Sequence, residues 1–119
     1  MKTRFLFVFA RPPHASLHVR EMLDMTLTAA AFDQAVSVLL IDDGVYSLKS
    51  GQDSRQLDCK DVIPVFESLA WYEVEHIYVE AESLQERSLS PAELCQAVHL
   101  LSRSEIGKIM SRQNVIVNV

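Results

Sequence analysis

The run Phe5-Leu-Phe-Val-Phe9 is apolar at every position and rich in aromatic side chains. A strand with one side in water alternates apolar and polar residues, whereas a strand covered on both faces is continuously apolar. This run therefore predicts a strand that is covered on both faces. Similar short runs follow at Val36 to Ile41, His76 to Val79, Val98 to Leu101 and Val115 to Val119.

Helical patterns lie between these runs. The apolar positions from Val19 to Ala30 recur at helical spacing, which marks one face of a helix. Val62 to Leu69 repeats this pattern. The capping-box spacing Ser102-x-x-Glu105 opens a further helix that ends near Arg112, and Ser90-Pro91-x-Glu93 predicts a short helical turn.

The alternation of strands and helices predicts the fold class. It indicates an α/β protein with a single three-layer domain, residues 1–119, in which a mainly parallel five-stranded sheet carries helices on both faces. A chain of this length can bury a hydrophobic core without disulfide or metal support. Gly51 to Lys60 is the most polar stretch, and it predicts an exposed loop.

Composition argues against several functional classes. The 119 residues include 11 Lys+Arg and 16 Asp+Glu, and the net charge of −5 argues against direct binding of nucleic acid or anionic membranes. Two cysteines are too few for a disulfide scaffold or a four-ligand zinc site, and no metal or cofactor is expected. Apolar residues make up 49%, more than a small monomer needs, so partner proteins are expected to cover part of the surface.

The N-terminal region predicts a cytoplasmic protein. The apolar stretch Phe5 to Ala10 is too short for a secretory signal, and Arg11 ends it. No stretch reaches the ~20 apolar residues that cross a bilayer. The thiols are therefore expected to be reduced.

Three segments follow predicted strands at the edge where α/β sheets usually bind ligands. His14, after the first strand, is a candidate acid, base or ligand group, or a loop residue that faces a partner. Asp42-Asp43-Gly44, after the second strand, predicts a turn in which Gly44 takes a positive φ, in preference to a metal site. Glu80 to Arg87, after the third strand, predicts a solvated, charged turn.

The two cysteines are the candidate thiols. Cys59 lies near the start of a predicted helix, where the helix dipole and Lys60 favour the thiolate while Asp58 and Asp61 oppose it. Cys95 precedes an apolar strand and is expected to pack as a small hydrophobic residue. A structural role is the expectation for both.

Four groups of short motifs occur in order along the chain: Phe7-Val-Phe with Pro13-His14, Arg20-Glu21-x-Leu23-Asp24, Asp43-Gly44-Val45 with Gly51-Gln52, and Ser83-Leu84-x-Glu86-Arg87. Together they resemble the TusC/DsrF branch of the DsrE-like proteins over essentially the whole chain. The resemblance implies the DsrE-like fold. That branch is expected to have Gly where this chain has Ala15 and Ser88, so these two loops are expected to differ in detail.

The resemblance implies a part in persulfide transfer. TusC-type proteins assemble with TusB-like and TusD-like subunits into a heterohexamer with two copies of each. This complex passes sulfur from a TusA-like carrier towards a TusE-like carrier, for 2-thiouridine at the tRNA wobble position. In sulfur-oxidising bacteria the counterpart complex, DsrEFH, serves sulfur oxidation.

The resemblance also implies that this chain has no catalytic residue of its own. The sulfur-carrying cysteine of the family belongs to the TusD/DsrE sibling and follows the third strand, a position that falls here near Val79 and Glu80. No cysteine occurs from Lys60 to Leu94. The expected role is a structural subunit, with loop or interface residues His14, Asp43, Gly44, Glu86 and Arg87.

Two other functions stay open. One is a sulfurtransferase that uses its own Cys59 or Cys95. The other is a small-ligand or nucleotide-binding module built on the His14 and Asp43 loops, and the lack of a Gly-rich phosphate loop argues against it.

Overall fold

The computed structural model describes residues 3–12, 17–32, 34–48, 74, 76–94 and 98–118. Within these ranges, five strands match the five apolar runs: β1 Arg4–Phe9, β2 Ala35–Leu40, β3 His76–Glu80, β4 His99–Leu101 and β5 Val115–Asn118. The α-helices are α1 Leu17–Ala31, α2 Ala81–Glu86 and α3 Arg103–Ser111, and 3-10 helices span Asp42–Leu48 and Pro91–Glu93. The predicted helix Val62 to Leu69 and the polar stretch Gly51 to Lys60 lie outside the described residues.

The strands form one parallel sheet in the order β4-β3-β2-β1-β5. This confirms the predicted α/β class, and the sheet is parallel throughout. β1 pairs with β2 along its full length and with β5 from Phe5 to Val8. The first apolar run is therefore an inner strand of the sheet. Its residues Leu6, Phe7, Val8 and Phe9 are buried, so both faces are covered, as continuous hydrophobicity predicts.

Helices cover both faces of the sheet. The connections through α1 and α2 run in one direction along the sheet, whereas the connection through α3 returns, so right-handed crossovers place α3 on the opposite face. Val19, Leu23 and Leu84 of α1 and α2 pack with strand residues Phe7, Phe9, Val36, Val38 and Leu40. Ile106 of α3 packs with the residues that point the other way, Leu6, Val8 and Leu39.

The face of α1 predicted from periodicity is the buried face. Val19, Leu23 and Thr26 are fully buried, and Met22 is nearly so. The Thr26 hydroxyl donates to the carbonyl oxygen of Met22 at 2.8 Å, so its burial is compensated by a hydrogen bond. Among the described helices, α1 included, none is long and apolar enough to cross a membrane.

The predicted capping box begins α3. Ser102 Oγ accepts a hydrogen bond from the backbone N–H of Glu105 at 3.3 Å, and Glu105 Oε1 accepts one from the backbone N–H of Ser102 at 3.0 Å. These two bonds satisfy donors that a helix otherwise leaves free at its first turn. The short helical turn predicted at Ser90 is the 3-10 helix Pro91–Glu93.

The segment after β3 contradicts the prediction of a solvated turn, because Ala81–Glu86 forms α2. Leu84 is 2% exposed and belongs to the same core cluster as residues of α1 and the strands. The helix ends with Ser88 at φ 55, where the N–H of Ser88 bonds Gln85 O and the N–H of Leu89 bonds Leu84 O. Burial of Leu84 and this terminating turn stabilise a helix that the charged sequence does not predict.

Candidate functional site

The carboxyl ends of β2 and β3 meet at one edge of the sheet, because these strands are parallel neighbours. There the 3-10 helix that follows β2 contacts α2. The backbone N–H of Asp42 donates to Ser83 Oγ at 2.9 Å, and Ser83 Oγ donates to Glu80 Oε1 at 2.6 Å. A chain of hydrogen bonds therefore joins the two strand ends through a fully buried serine.

Arg103, the first residue of α3, closes this edge from the opposite face of the sheet. Its Nη2 donates to Glu80 Oε1 at 2.8 Å, and its Nε donates to the same oxygen at 3.1 Å. Nη2 also donates to Glu86 Oε1 at 2.8 Å, and the backbone N–H of Arg103 donates to Glu82 Oε2 at 3.0 Å. One residue thus ties α3 to the end of β3 and to α2.

The ionisation of Glu80 follows from these contacts. Burial raises the pKa of Glu80, but hydrogen bonds from Arg103 and Ser83 outweigh burial, and the pKa lies below its ordinary value of 4.5. Hydrogen bonds to Glu80 and Glu86 raise the pKa of Arg103. Glu80 is therefore a carboxylate at neutral pH, and it has no proton to donate.

Arg87 makes the second ion pair of this edge. Its Nε donates to Asp43 Oδ1 at 2.9 Å, and its Nη1 donates to the carbonyl oxygen of Ser83 at 3.2 Å. Nη1 also lies 3.6 Å from Glu86 Oε2. The sequence candidates Asp43, Gly44, Glu86 and Arg87 are therefore brought together, as a structural network between α2 and the 3-10 helix.

The prediction that Gly44 takes a positive φ is wrong, and this glycine has another role. Positive φ falls on Asp42, at 48°, and Gly44 lies within the 3-10 helix. A Cβ on Gly44 would overlap the carbonyl oxygen of Phe9 and lie 2.6 Å from its carbonyl carbon. Gly44 is needed because the chain after β2 passes directly over the end of β1.

The remaining sequence candidates, His14, Cys59 and Cys95, lie outside the described residues. The structure adds Glu80, Ser83 and Arg103 to these candidates; Ser83 belongs to the fourth motif, whereas Glu80 and Arg103 belong to none. Glu80, Ser83 and Leu84 have the spacing of one helix face. This spacing was the sequence signal that could have identified Glu80 and Ser83.

The described residues of this edge allow little chemistry. Ser83 bonds a carboxylate, as an activated serine does, but it is fully buried and cannot meet a substrate. The carboxylates of Asp43, Glu80 and Glu86 are paired with arginines. Across the described part of the chain, no group of three His, Cys, Asp or Glu residues is placed to hold a metal ion. The edge is built to hold elements together.

Comparison with known proteins agrees with the sequence motifs. Residues 3–119 match the DsrE/DsrF-like family. A TusC homolog from Vibrio vulnificus strain CMCP6 is 34% identical over 108 residues, 91% of this chain and 92% of its own length. The intracellular sulfur oxidation protein DsrF of Allochromatium vinosum is 39% identical over 93 residues, 78% of this chain and 68% of DsrF. The crystal structure of the ychN protein from E. coli has the same fold, with a TM-score of 0.84 over 100% of both chains at 15% identity.

Proposed function

The chain belongs to the DsrE/DsrF-like family, and from this membership we propose that it is a non-catalytic subunit of a cytoplasmic sulfur-relay complex. Its partners in this proposal are TusB-like and TusD-like subunits, in a heterohexamer with two copies of each. TusA-like and TusE-like carriers deliver and receive the sulfur. The complex serves 2-thiouridine formation at the tRNA wobble position.

The observation that carries the proposal is the residue at the end of β3. Persulfide relay needs an accessible thiolate, which the family resemblance assigns to a sibling subunit at this position. Here Glu80 lies there, with its side chain 7% exposed and bonded to Arg103 and Ser83. A position that binds sulfur in a sibling is therefore a closed ion pair in this chain.

Exposed apolar residues support assembly with partners. Met25, Leu100, Val115 and Ile116 are 51%, 43%, 37% and 44% exposed. Met25 also lines an apolar groove of about 390 Å³ between α1 and the edge strand β5, with Phe5, Phe7, Ala29 and Val117. Apolar surface of this kind is typical of interfaces that are covered in the working assembly.

Co-expression tests the assembly. The chain is expected to aggregate or self-associate alone and to copurify in equal amounts with TusB-like and TusD-like siblings. Met25→Lys should weaken copurification, because it puts a charge on the apolar groove. Ser104→Lys adds the same charge at an exposed position of α3, on the opposite sheet face, and should leave copurification unchanged. A monomer that binds neither sibling would contradict the proposal.

Mass spectrometry tests the absence of a catalytic thiol. After exposure of the complex to a persulfide donor, one added sulfur atom is expected on the TusD-like subunit. Replacing Cys59 and Cys95 by Ser in this chain should leave relay to the TusE-like carrier intact. A stable persulfide on either residue, with relay lost in the matching variant, would instead support a sulfurtransferase.

A DsrEFH-type complex in sulfur oxidation is the second candidate. DsrF of Allochromatium vinosum matches this chain at 39% identity, a level similar to that of the TusC homolog. A gene for dissimilatory sulfite reductase in the same genome would favour sulfur oxidation, and its absence would favour tRNA thiolation.

A further inference from the structure

A second concave region lies at the opposite, amino edge of the sheet. It is a cavity of about 220 Å³ on the face covered by α3, and its polar lining consists of Arg4, Ser37, His76, Tyr78, Arg112 and Gln113. Among the described residues, this lining contains two guanidinium groups and a histidine, and no carboxylate. The described side chains of the cavity are therefore cationic or neutral, although the chain as a whole has a net charge of −5.

The fold places these groups by register and by chain direction. Arg4 lies two residues before Leu6 in β1, so both are on the face of the sheet that α3 covers. Ser37 of β2 is paired with His76 of β3. α3 runs from the carboxyl edge back to the amino edge, and Arg112 caps its end. Hydrogen bonds fix the backbone of Arg4, whose N–H donates to Asn114 Oδ1 at 2.8 Å and whose carbonyl accepts from Asn114 N–H at 2.9 Å.

The arginines of this cavity differ from those at the carboxyl edge. Arg87 and Arg103 each bond a carboxylate at 2.9 Å or less. Within the described residues, Arg4 and Arg112 take part in no ion pair. Their guanidinium groups are exposed and are available to an anion from solution.

Aromatic rings form one wall of the region. The ring of His76 lies 5.4 Å from that of Tyr78 and 5.3 Å from that of His99, measured between centroids. His76 and Tyr78 line the cavity directly. The site therefore combines two cationic forks with flat rings, a pairing that suits a compact anion carrying a planar group.

We propose that this cavity binds a tetrahedral oxyanion of the phosphate class, either free or as an aromatic phosphomonoester. Arg4 and Arg112 donate to its oxygens, and Ser37 forms the buried floor at 6% exposure. The volume is below the roughly 300–1,000 Å³ of sites for drug-sized ligands, which favours a small anion. Charge-assisted bonds from guanidinium groups are the contacts that recognise such an anion most strongly.

Calorimetric titration tests the site. Inorganic phosphate and phenyl phosphate are titrated separately into the full chain, in the assembly in which it purifies, with chloride holding the ionic strength constant. Saturable binding of phosphate is expected. Tighter binding of phenyl phosphate would identify aromatic phosphomonoesters as the ligand source, and equal binding would identify the free oxyanion. No saturable binding of either probe would overturn the proposal.

Matched variants locate the binding. Arg4→Gln and Arg112→Gln should each weaken binding about tenfold, because each removes one charge-assisted donor. Arg11→Gln removes the same charge from an exposed position just beyond the other end of β1 and should change binding less than about twofold. Equal losses of affinity in all three variants would show that the anion responds only to the overall charge of the protein, and they would overturn the proposed site. The test is independent of persulfide relay, so either proposal can fail alone.

Discussion

The two ends of the sheet use arginine in opposite ways. At the carboxyl edge, Arg87 and Arg103 bond carboxylates at 2.8–2.9 Å and join α2 and α3 to the strand ends. At the amino edge, Arg4 and Arg112 line a cavity whose described lining residues include no carboxylate. Paired charges hold a fold together, whereas unpaired charges at a cavity are available to a ligand. Substitutions at the carboxyl edge should therefore change the stability of the fold, whereas substitutions at the amino edge should change ligand binding.

The largest loss of stability is expected from Gly44→Ala at the carboxyl edge. The added Cβ overlaps the carbonyl group of Phe9, and backbone atoms must move to admit it. The free energy of unfolding, measured by urea denaturation, should fall by about 3 kcal/mol. Gly107→Ala is the control, because its Cβ meets no atom within 4 Å, and it should raise stability by about 0.5–1 kcal/mol. Equal effects of the two variants would show that the chain does not pass closely over β1.

Glu80→Gln should give the next largest effect, with a characteristic pH dependence. Removal of the charge weakens the bonds to Arg103, and stability near pH 7 should fall by about 1–2 kcal/mol. Since the folded-state pKa of Glu80 is below 4.5, its carboxylate stabilises the fold above that pH and loses this contribution as the pH falls through the lower value.

Urea denaturation of wild type and Glu80→Gln at about pH 7 and about pH 3 measures this linkage. The difference between the two proteins should shrink at the lower pH. Glu21→Gln, at an exposed position of α1, should match wild type within about 0.5 kcal/mol. A difference that is the same at both pH values would mean that the charge of Glu80 contributes nothing.

Ser88→Gly should stabilise the carboxyl edge modestly. Ser88 takes φ 55, where a side chain is strained and glycine is not. The expected gain in the free energy of unfolding is about 0.5–1 kcal/mol, since the greater freedom of glycine in the unfolded chain offsets part of the relief. Ser88→Ala should give no gain, because alanine resists the same φ. Equal behaviour of the two variants would contradict a left-handed terminus for α2.

The smallest effect on stability is expected at the amino edge. Arg112→Gln should change the free energy of unfolding by less than about 0.5 kcal/mol, because no ion pair is lost among the described residues. Arg87→Gln, which breaks the bond to Asp43, should cost clearly more in the same urea titration. If Arg112→Gln were the more damaging change, the contrast between the two edges would be wrong.

Most of the fold could be predicted because it follows from local patterns. The continuous run Phe5 to Phe9 signals a strand covered on both faces, and the Ser102 capping box signals the start of α3. The short helix α2 could not be predicted in this way. Its six residues are mostly charged or polar, and its stability comes from burial of Leu84 in the core that α1 and the strands share, which is tertiary packing.

The network at the carboxyl edge was not predicted, although four of its residues were named as loop or interface candidates. Asp43, Gly44, Glu86 and Arg87 were singled out because they belong to motifs. The pair of Glu80 and Arg103 spans 23 residues, and it forms because α3 crosses back over the opposite face of the sheet. A strand order of this kind is decided by the packing of the whole chain, so no local spacing predicts the contact between Glu80 and Arg103.

The pairing of β5 with β1 has a consequence for synthesis on the ribosome. Arg4 and Asn114, which bond each other at this pairing, are 110 residues apart. Until β5 emerges, the apolar strand β1 has β2 on one side and open backbone donors and acceptors on the other. Completion of the sheet therefore depends on contacts between residues 110 positions apart, which slows folding and leaves a nascent edge in need of protection.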